Sequence, residues 1–240
     1  MKALTMKLQI HNIEYEKRGE YMTRGFKIRI RGPMALFSRP ELKVERYSYD
    51  VPTPSALRGT IEGIYWHPGV DYVIDEIKVL NPIKRIAVRR NELKNKAKDS
   101  TILEAGNNTH KKLFIDRKED IAQRNSSILT DVDYLVTFHF EINDKADRGT
   151  TEEKVTAILS RRLEKGQCYK QPYLGCREFA AQLERFDGDL PSYYEDEEER
   201  DLGIMLYDLD YSDPADPQAV FYHPVMKKGV IRVKKEEVYR

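Results

Sequence analysis

The sequence predicts an α+β fold in which two helices pack on one face of a β-sheet. Three observations support this: stretches with the alternating pattern of strands, two stretches with the apolar spacing of helices, and the order in which they follow one another. That order is strand, helix, two strands, strand, helix, and we expect a return strand near residues 168–177. It is compatible with a ferredoxin-like βαββαβ sheet that carries its helices on one side.

Alternating stretches define the predicted strands. From Phe26 to Arg31, apolar residues at even positions alternate with Lys and Arg at odd ones, which fits a sheet covered on one side only and a wholly cationic second face. The clearest strand is 131–142, whose alternation puts His139 on the polar face. The other predictions are a strand at 72–80, its hairpin partner at 83–88, and an irregular insertion at 91–122.

The first predicted helix begins at Thr53-Pro54, because Thr can cap the exposed amides and Pro fits the first helical position. The sequence His67-Pro68-Gly69 is its stop signal, so that Tyr65 falls in the last turn. One apolar face is formed by Leu57, Ile61 and Ile64. The second helix spans 151–165 and ends at Gly166, with an inward face formed by Val155, Ile158, Leu159 and Leu163.

Composition indicates a globular chain with a highly charged surface. Of the 240 residues, 34% are charged and 40% hydrophobic, and no apolar run approaches the ~20 residues of a membrane span. Residues 1–24 are polar and lack the apolar core of a signal peptide, so we expect a cytoplasmic protein without membrane association. Residues 1–98 hold 20 Lys and Arg against 11 Asp and Glu, which makes this half the better phosphate-binding candidate.

Several kinds of catalytic site have no signal in the sequence. There is no Walker-type glycine loop, HExxH, GxSxG or aspartate cluster with magnesium spacing, which disfavours a metal-dependent nuclease. We interpret Cys168 and Cys176 as free thiols, because no second pair or His cluster lies at ligand spacing. The expectation is therefore no metal and no cofactor.

RNA cleavage needs no metal, because the 2′-hydroxyl of the RNA can attack the adjacent phosphate with His, Tyr, Lys or Arg as helpers. Among the five histidines, His139 is the strongest candidate, since its strand face is open. The alternative is a solvated surface histidine. His67 and His223 each precede a proline and are interpreted as turn residues. On periodicity alone, Tyr65 is favoured as an aromatic anchor of the helix end.

Five ordered blocks resemble the CRISPR-associated Cas five family in its d subtype, found in type I-C systems. The blocks are FSRPELKVERYSYDVPTPSALRGTIEGIYWHP (37–68), NPIKRIAVRRNE (81–92), QRNSSILTDVDYLVTFHFE (123–141), GQCYKQPYLGCREF (166–179) and RDLGIMLYDLDY (200–211). The resemblance covers roughly residues 25–235. It implies an RNA-recognition-like domain at 25–180 and a smaller β-rich part at 181–240. In that part we expect strands near 203–209, 220–223 and 230–233.

The resemblance also implies an activity and its residues. The activity is an endoribonuclease that recognises the hairpin of a CRISPR repeat, cuts at its 3′ base and keeps the 5′ handle within the type I-C Cascade complex. The family's catalytic Tyr and His match Tyr65 and His139. Its Lys does not carry over, since Thr137 and Phe138 stand in that vicinity. Either Lys43 or an arginine supplies the charge, or cleavage is slower.

RNA contacts are expected from basic residues in the matching blocks, although each could be ordinary surface charge. They are Arg46, Arg58, Arg89, Arg90, Arg124, Lys170 and Arg177. The expected partners are repeat RNA or crRNA, other Cascade subunits and, within the complex, DNA. Two alternatives stay open at this point: a non-catalytic scaffold that grips the 5′ handle, and a general DNA-binding or nicking protein.

Overall fold

The structure is a computed structural model that describes residues 25–42, 44–95, 98–108, 113–114, 116, 118–234 and 238–239. Three helices lie in this part of the chain: α1 (Pro54–Glu62), α2 (Asp99–Asn107) and α3 (Glu152–Lys165). The strands are β1 (Phe26–Ala35), β2 (Arg46–Tyr47), β3 (Val70–Val79), β4 (Lys84–Leu93), β5 (Ile121–Ile142), β6 (Gln182–Arg185), β7 (Arg200–Asp201), β8 (Met205–Asp210), β9 (Gln218–Tyr222), β10 (Val225–Lys227), β11 (Val230–Arg232) and β12 (Val238–Tyr239). The fold is thus mixed, with a large, mainly antiparallel sheet and few helices.

The main sheet is organised around the 22-residue strand β5. Its strand order is β6-β1-β5-β3-β11-β10-β7. The second half of β5 pairs with β1 and β3, and its first half pairs with β4 and, in parallel, with β2. The two halves meet at Asp131, whose φ of 52° lies in the left-handed region that Asp tolerates better than most residues. Strands β8, β9 and β12 form a separate small sheet.

Helices α1 and α3 contribute to the same hydrophobic core as one face of the main sheet. The predicted inward residues of α1 are buried, and the Thr53 side chain accepts a hydrogen bond from the Ala56 amide as the capping pattern predicted. Helix α3 begins after Thr151 and ends at Gly166, which adopts the left-handed conformation expected of a C′ glycine. The predicted starts of α1 and α3 and the predicted end of α3 are confirmed. These three were predictable from the local sequence because a cap depends on residues within one turn.

The opposite face of the main sheet is not the solvated cationic surface that the sequence predicted. The segment 186–195 contacts this face: Asp189 pairs with Lys78 at 3.0 Å, and the Gly188 carbonyl accepts from Lys27 at 3.2 Å. Arg29 is paired with Asp133, with Nη2 to Oδ2 at 2.6 Å. The alternation of β1 is correct, but carboxylates from other strands neutralise its cations.

The hairpin predicted between 72–80 and 83–88 is wrong. Strand β4 pairs with the first half of β5, while β3 pairs with the second half, so both strands share one partner. The amide of Ile83 donates to the Tyr194 hydroxyl at 2.7 Å, which helps to redirect the chain between them. Within the predicted irregular insertion, residues 91–93 continue β4, α2 forms, and β5 begins at Ile121.

The return strand expected near 168–177 is also wrong, because those residues form a loop and the strand is β6. Gly175 makes the turn: its φ is +80°, and a Cβ there would lie 2.0 Å from the Leu36 carbonyl oxygen. The predicted C-terminal strands are present as β8, β9 and β11. Since β6, β7, β10 and β11 join the main sheet, both sides of the predicted boundary at residue 180 contribute to it; the domain division stays a prediction.

In the described part of the chain, we find no helix with the length and apolarity needed to cross a bilayer.

Candidate active site

The main chain just after helix α1 is fixed by hydrogen bonds from other segments. The helix stops at Glu62, earlier than predicted, and each of the next three carbonyls accepts a hydrogen bond from elsewhere. Gly63 accepts from the amides of 169 and 170 at 3.0 Å, Ile64 from the Arg162 guanidinium, and Tyr65 from the Tyr72 hydroxyl at 2.7 Å. These tertiary bonds satisfy carbonyls that a longer helix would bond internally. Tyr65 therefore lies in a fixed turn just beyond the helix.

Two basic side chains lie against the Tyr65 ring. The guanidinium carbon of Arg162 is 5.2 Å from the ring centre, and the imidazole of His67 is centred 6.2 Å from it at an angle of 31°. Tyr65 is buried, with 8% of its surface exposed, whereas His67 is half-buried. An aromatic hydroxyl group, an imidazole and a guanidinium thus meet at the end of α1.

Exposed aromatic rings belong to the segments that form this site. Trp66, the residue after Tyr65, is 58% exposed, and Tyr169, whose amide bonds to Gly63, is 80% exposed. The exposed Lys170 follows, with its ammonium 5.6 Å from the Tyr173 ring centre. Aromatic platforms next to cations are what single-stranded nucleic acid uses for stacking and phosphate contact. We call Tyr65, Trp66, His67, Arg162 and Tyr169 the helix-end site.

His139 lies on the polar face of β5, as predicted, and is paired with a carboxylate. Its Nδ1 is 2.9 Å from Asp75 Oδ2, and its Nε2 is 3.8 Å from Glu141 Oε1. Asp75 reaches it because the pairing of β3 with β5 shifts register between Ile74 and Glu76. The hydrogen bond to Asp75 raises the pKa of His139 above its ordinary value, so this imidazole holds its proton at neutral pH more strongly than a free one.

The structure does not bring Tyr65 and His139 together. Tyr72, whose hydroxyl bonds to Tyr65, pairs with Phe140 and points into the core on the helix side of the sheet. His139 is the neighbour of Phe140 along β5 and therefore points to the other side. The two predicted catalytic residues lie on opposite faces of the sheet. Lys43, the third, lies outside the described residues.

The predicted RNA-contact residues are scattered, and most of their charges are already paired. Arg58 forms a two-pronged bridge to Asp208, Arg90 lies 2.6 Å from Glu178, and Arg46 lies 3.2 Å from Glu92. Arg124 contacts the Val44 carbonyl at 3.0 Å and also Glu92. The remaining three are exposed: Arg89 on the outer face of β4, and Lys170 and Arg177 in the loop after α3. These three can meet a phosphate without breaking an ion pair with another described residue.

Sequence reasoning missed three residues at these sites. His67 was interpreted as a turn residue, which it is, but the turn also carries it to Tyr65. Arg162 was not singled out, because its contact with the end of α1 has no signal in the local pattern. Asp75 was placed in a regular strand, although the adjacent acids Asp75 and Glu76 were the one hint of a bulge.

Among the residues that the structure describes, no group of three or more His, Cys, Asp or Glu could hold a metal ion. Cys168 and Cys176 are free thiols, the first exposed and the second half-buried.

Comparison with known proteins identifies the class. The family model for CRISPR-associated protein (Cas_Cas5) matches residues 25–234, and the chain belongs to that family. The CRISPR pre-crRNA endoribonuclease Cas5d of Mannheimia succiniciproducens is 40% identical over 217 residues, which cover 88% of this chain and 96% of that one. The chain is accordingly a member of the Cas5d branch, the subtype indicated by the sequence blocks.

Solved structures agree at the level of the fold. One, a CRISPR-associated protein, has a TM-score of 0.68 and 29% identity, with 93% of this chain and 100% of that chain covered. A chain of a CRISPR RNA-guided surveillance complex has a TM-score of 0.51 at 19% identity, covering 89% of this chain and 92% of that one. The second likeness concerns the fold alone.

Proposed function

We propose that this protein is the endoribonuclease that processes precursor CRISPR RNA in a type I-C system. It recognises the repeat hairpin, cuts at its 3′ base and stays on the 5′ handle as a Cascade subunit in the cytoplasm. Membership of the Cas5d branch supports the activity, since a relative of 40% identity carries the name of such an enzyme. The observation that carries the proposal is the helix-end site, where groups able to move protons and bind phosphate lie beside exposed aromatic rings.

The reaction we propose is metal-independent attack by the RNA's own 2′-hydroxyl. A base takes its proton, the new 2′-oxygen–phosphorus bond forms as the bond to the 5′-oxygen breaks, and an acid protonates the leaving oxygen. The products are a 2′,3′-cyclic phosphate and a 5′-hydroxyl. Tyr65 and His139 are the candidates from family resemblance, and Lys43 remains the proposed source of additional charge.

We also propose that β1, α1, β3, β5, α3 and β6 form a ferredoxin-like unit. Their order along the chain is βαββαβ, and the order in the sheet, β6-β1-β5-β3, is antiparallel throughout. In RNA-recognition domains of this architecture, aromatic residues and cations on and around the sheet bind unpaired bases. The remaining strands would then be additions that extend this sheet and carry contacts to other Cascade subunits and to DNA.

The deciding experiment uses the cognate repeat RNA with EDTA present. Wild-type protein should cut all-ribose RNA at one position, and a single 2′-deoxy substitution just upstream of that phosphate should abolish cutting while leaving affinity nearly unchanged, because contacts elsewhere dominate binding. Cutting of the deoxy RNA at normal speed, or a requirement for magnesium, refutes the 2′-hydroxyl mechanism. Tight binding of all-ribose RNA without any cutting identifies the protein as the 5′-handle scaffold instead.

A further inference from the structure

We propose that His67, and not His139, accepts the proton of the 2′-hydroxyl, and that Arg162 binds the scissile phosphate beside Tyr65. This inference rests on the proposed RNA cleavage and assigns the residues that complete its site. It begins from a geometric conflict. Tyr65 and His139 lie on opposite faces of the sheet, so one phosphate cannot contact both, whereas His67 and Arg162 lie on the Tyr65 side.

The hydrogen bonds of His67 define which of its nitrogens is available. Nδ1 lies 2.9 Å from the carbonyl oxygen of Pro68, and a carbonyl can only accept, so Nδ1 carries the hydrogen. In the neutral imidazole the lone pair is then on Nε2. A base for the 2′-hydroxyl needs such a lone pair facing outward, and His67 is half-buried with part of its ring exposed.

Asp147 is positioned to stabilise His67 after it has taken the proton. Its Oδ2 lies 3.6 Å from Nε2, while its Oδ1 accepts from the Thr150 hydroxyl at 2.7 Å and the Gly149 amide at 3.0 Å. The Thr150 hydrogen bond, above all, holds the pKa of Asp147 below its usual range, so the carboxylate is charged at neutral pH. The Asp147 carboxylate attracts the positive charge that develops on the imidazole when Nε2 takes the proton.

Arg162 can hold the phosphate without leaving its place. One of its N–H groups donates to the Ile64 carbonyl and its guanidinium carbon lies 5.2 Å from the centre of the Tyr65 ring, two contacts that together position the guanidinium. Arginine has five N–H donors, so the fork retains donors for the nonbridging oxygens. Arg162 forms no salt bridge with any described residue, whereas Arg58 and Arg90 both do.

The complete step balances with these groups. The 2′-hydroxyl proton moves to His67 Nε2, the 2′-oxygen bonds to phosphorus, the bond to the 5′-oxygen breaks, and the Tyr65 hydroxyl gives its proton to that oxygen. Imidazolium and tyrosinate remain, and a proton passes from one to the other, directly or through water, to restore the enzyme. The His139–Asp75 pair on the other face takes no part.

The test compares single-turnover cleavage and equilibrium binding of the repeat RNA for wild type, His67→Ala, His67→Gln and a matched control. His223→Ala is that control, because His223 also precedes a proline and also faces a carboxylate, with Nε2 2.6 Å from Asp201. We expect both His67 variants to lose about 10²-fold or more in rate with little change in Kd, and added imidazole to restore part of the rate of His67→Ala. The control should cut at the wild-type rate.

A second substrate separates the base from the acid. RNA with sulfur in place of the scissile 5′-oxygen has a leaving group that departs without a proton, so Tyr65→Phe should regain speed on it and His67→Ala should not. Cutting by His67→Ala within about threefold of wild type, or its rescue by the sulfur substrate, overturns the role assigned to His67. A lowered melting temperature without imidazole rescue does the same, because it assigns His67 a structural role. If wild type itself never cuts, the proposed function fails first and this inference falls with it.

Discussion

Replacing Ile61 by Ala should destabilise the protein by emptying a buried site on helix α1, the helix that leads into the turn at Tyr65. The Ile61 side chain is fully buried in the core, and its carbonyl accepts from the amides of Ile64 and Tyr65 at 2.9 and 3.3 Å. The substitution removes three carbons, or about 2.4 kcal/mol at about 0.8 kcal/mol each. A cavity that the sheet cannot fill raises the cost, so we expect a total of about 3–4 kcal/mol within the usual range of about 2–5 kcal/mol.

Urea unfolding followed by circular dichroism measures this cost. The midpoint should fall while the slope m stays constant, because the surface exposed on unfolding hardly changes. In a thermal scan the loss corresponds to roughly 6–16 °C for a chain of this size. The matched control is Ile102→Ala, since Ile102 is also helical but 44% exposed on α2, and its effect should stay within about 0.5 kcal/mol. An Ile61 variant as stable as this control would refute the described packing of α1.

Three further predictions concern RNA binding and pH. Replacing both Arg89 and Arg90 by Ala should reduce the slope of log K against log salt concentration for repeat binding by about 0.7 per lost phosphate contact. Arg89→Ala should give the larger share, because Arg90 is paired with Glu178. An unchanged slope would show that neither arginine contacts the RNA. The pKa of His139 is raised in the folded protein, so its contribution to stability is full below about pH 6.5 and is lost as pH rises through the folded pKa. The free energy of unfolding of His139→Gln should therefore fall less over this pH range than that of wild type. Curves of unfolding free energy against pH that run parallel for the two proteins would contradict the pairing of His139 with Asp75. Trp66→Ala and Tyr169→Ala should each raise Kd for the repeat about tenfold, if each ring stacks on a base at about 1–3 kcal/mol; a fluorescence titration with Kd unchanged for both would exclude them as stacking platforms.

Local signals predicted the starts of α1 and α3, the end of α3 and the inward faces of both helices. Thr53 and Gly166 act through bonds within one turn, so neighbouring residues suffice to predict them. The end of α1 was misplaced because the carbonyls of residues 63–65 bond to α3, β3 and the loop after α3, which the local pattern does not contain. The same reason explains why Arg162 was missed.

Strand faces were predictable, but strand partners were not. The alternation in residues 131–142 placed His139 on the correct face, since that depends only on the two-residue repeat of a strand. The first half of β5 has a mostly polar outer face and gave no strand signal, so β4 was assigned to the wrong partner. The Asp75 bulge shows only in the pairing of two strands. Only part of the candidate site was therefore predictable from the sequence. The family resemblance pointed to Tyr65, whereas its neighbours His67 and Arg162 become evident only in the folded structure.

The pairing scheme of the main sheet constrains the order in which this protein can be made. None of the described strands β1 to β4 pairs with another of the four; each pairs with β5, and β1 and β3 pair in addition with β6 and β11. On the ribosome, strands β1 to β4 therefore emerge before any of the strands with which they pair. The pairing of β3 with β5 is complete only after residue 142 has been translated and has left the exit tunnel. Slow codons placed before that point would prolong the vulnerable interval, whereas pauses after it would give the sheet time to close.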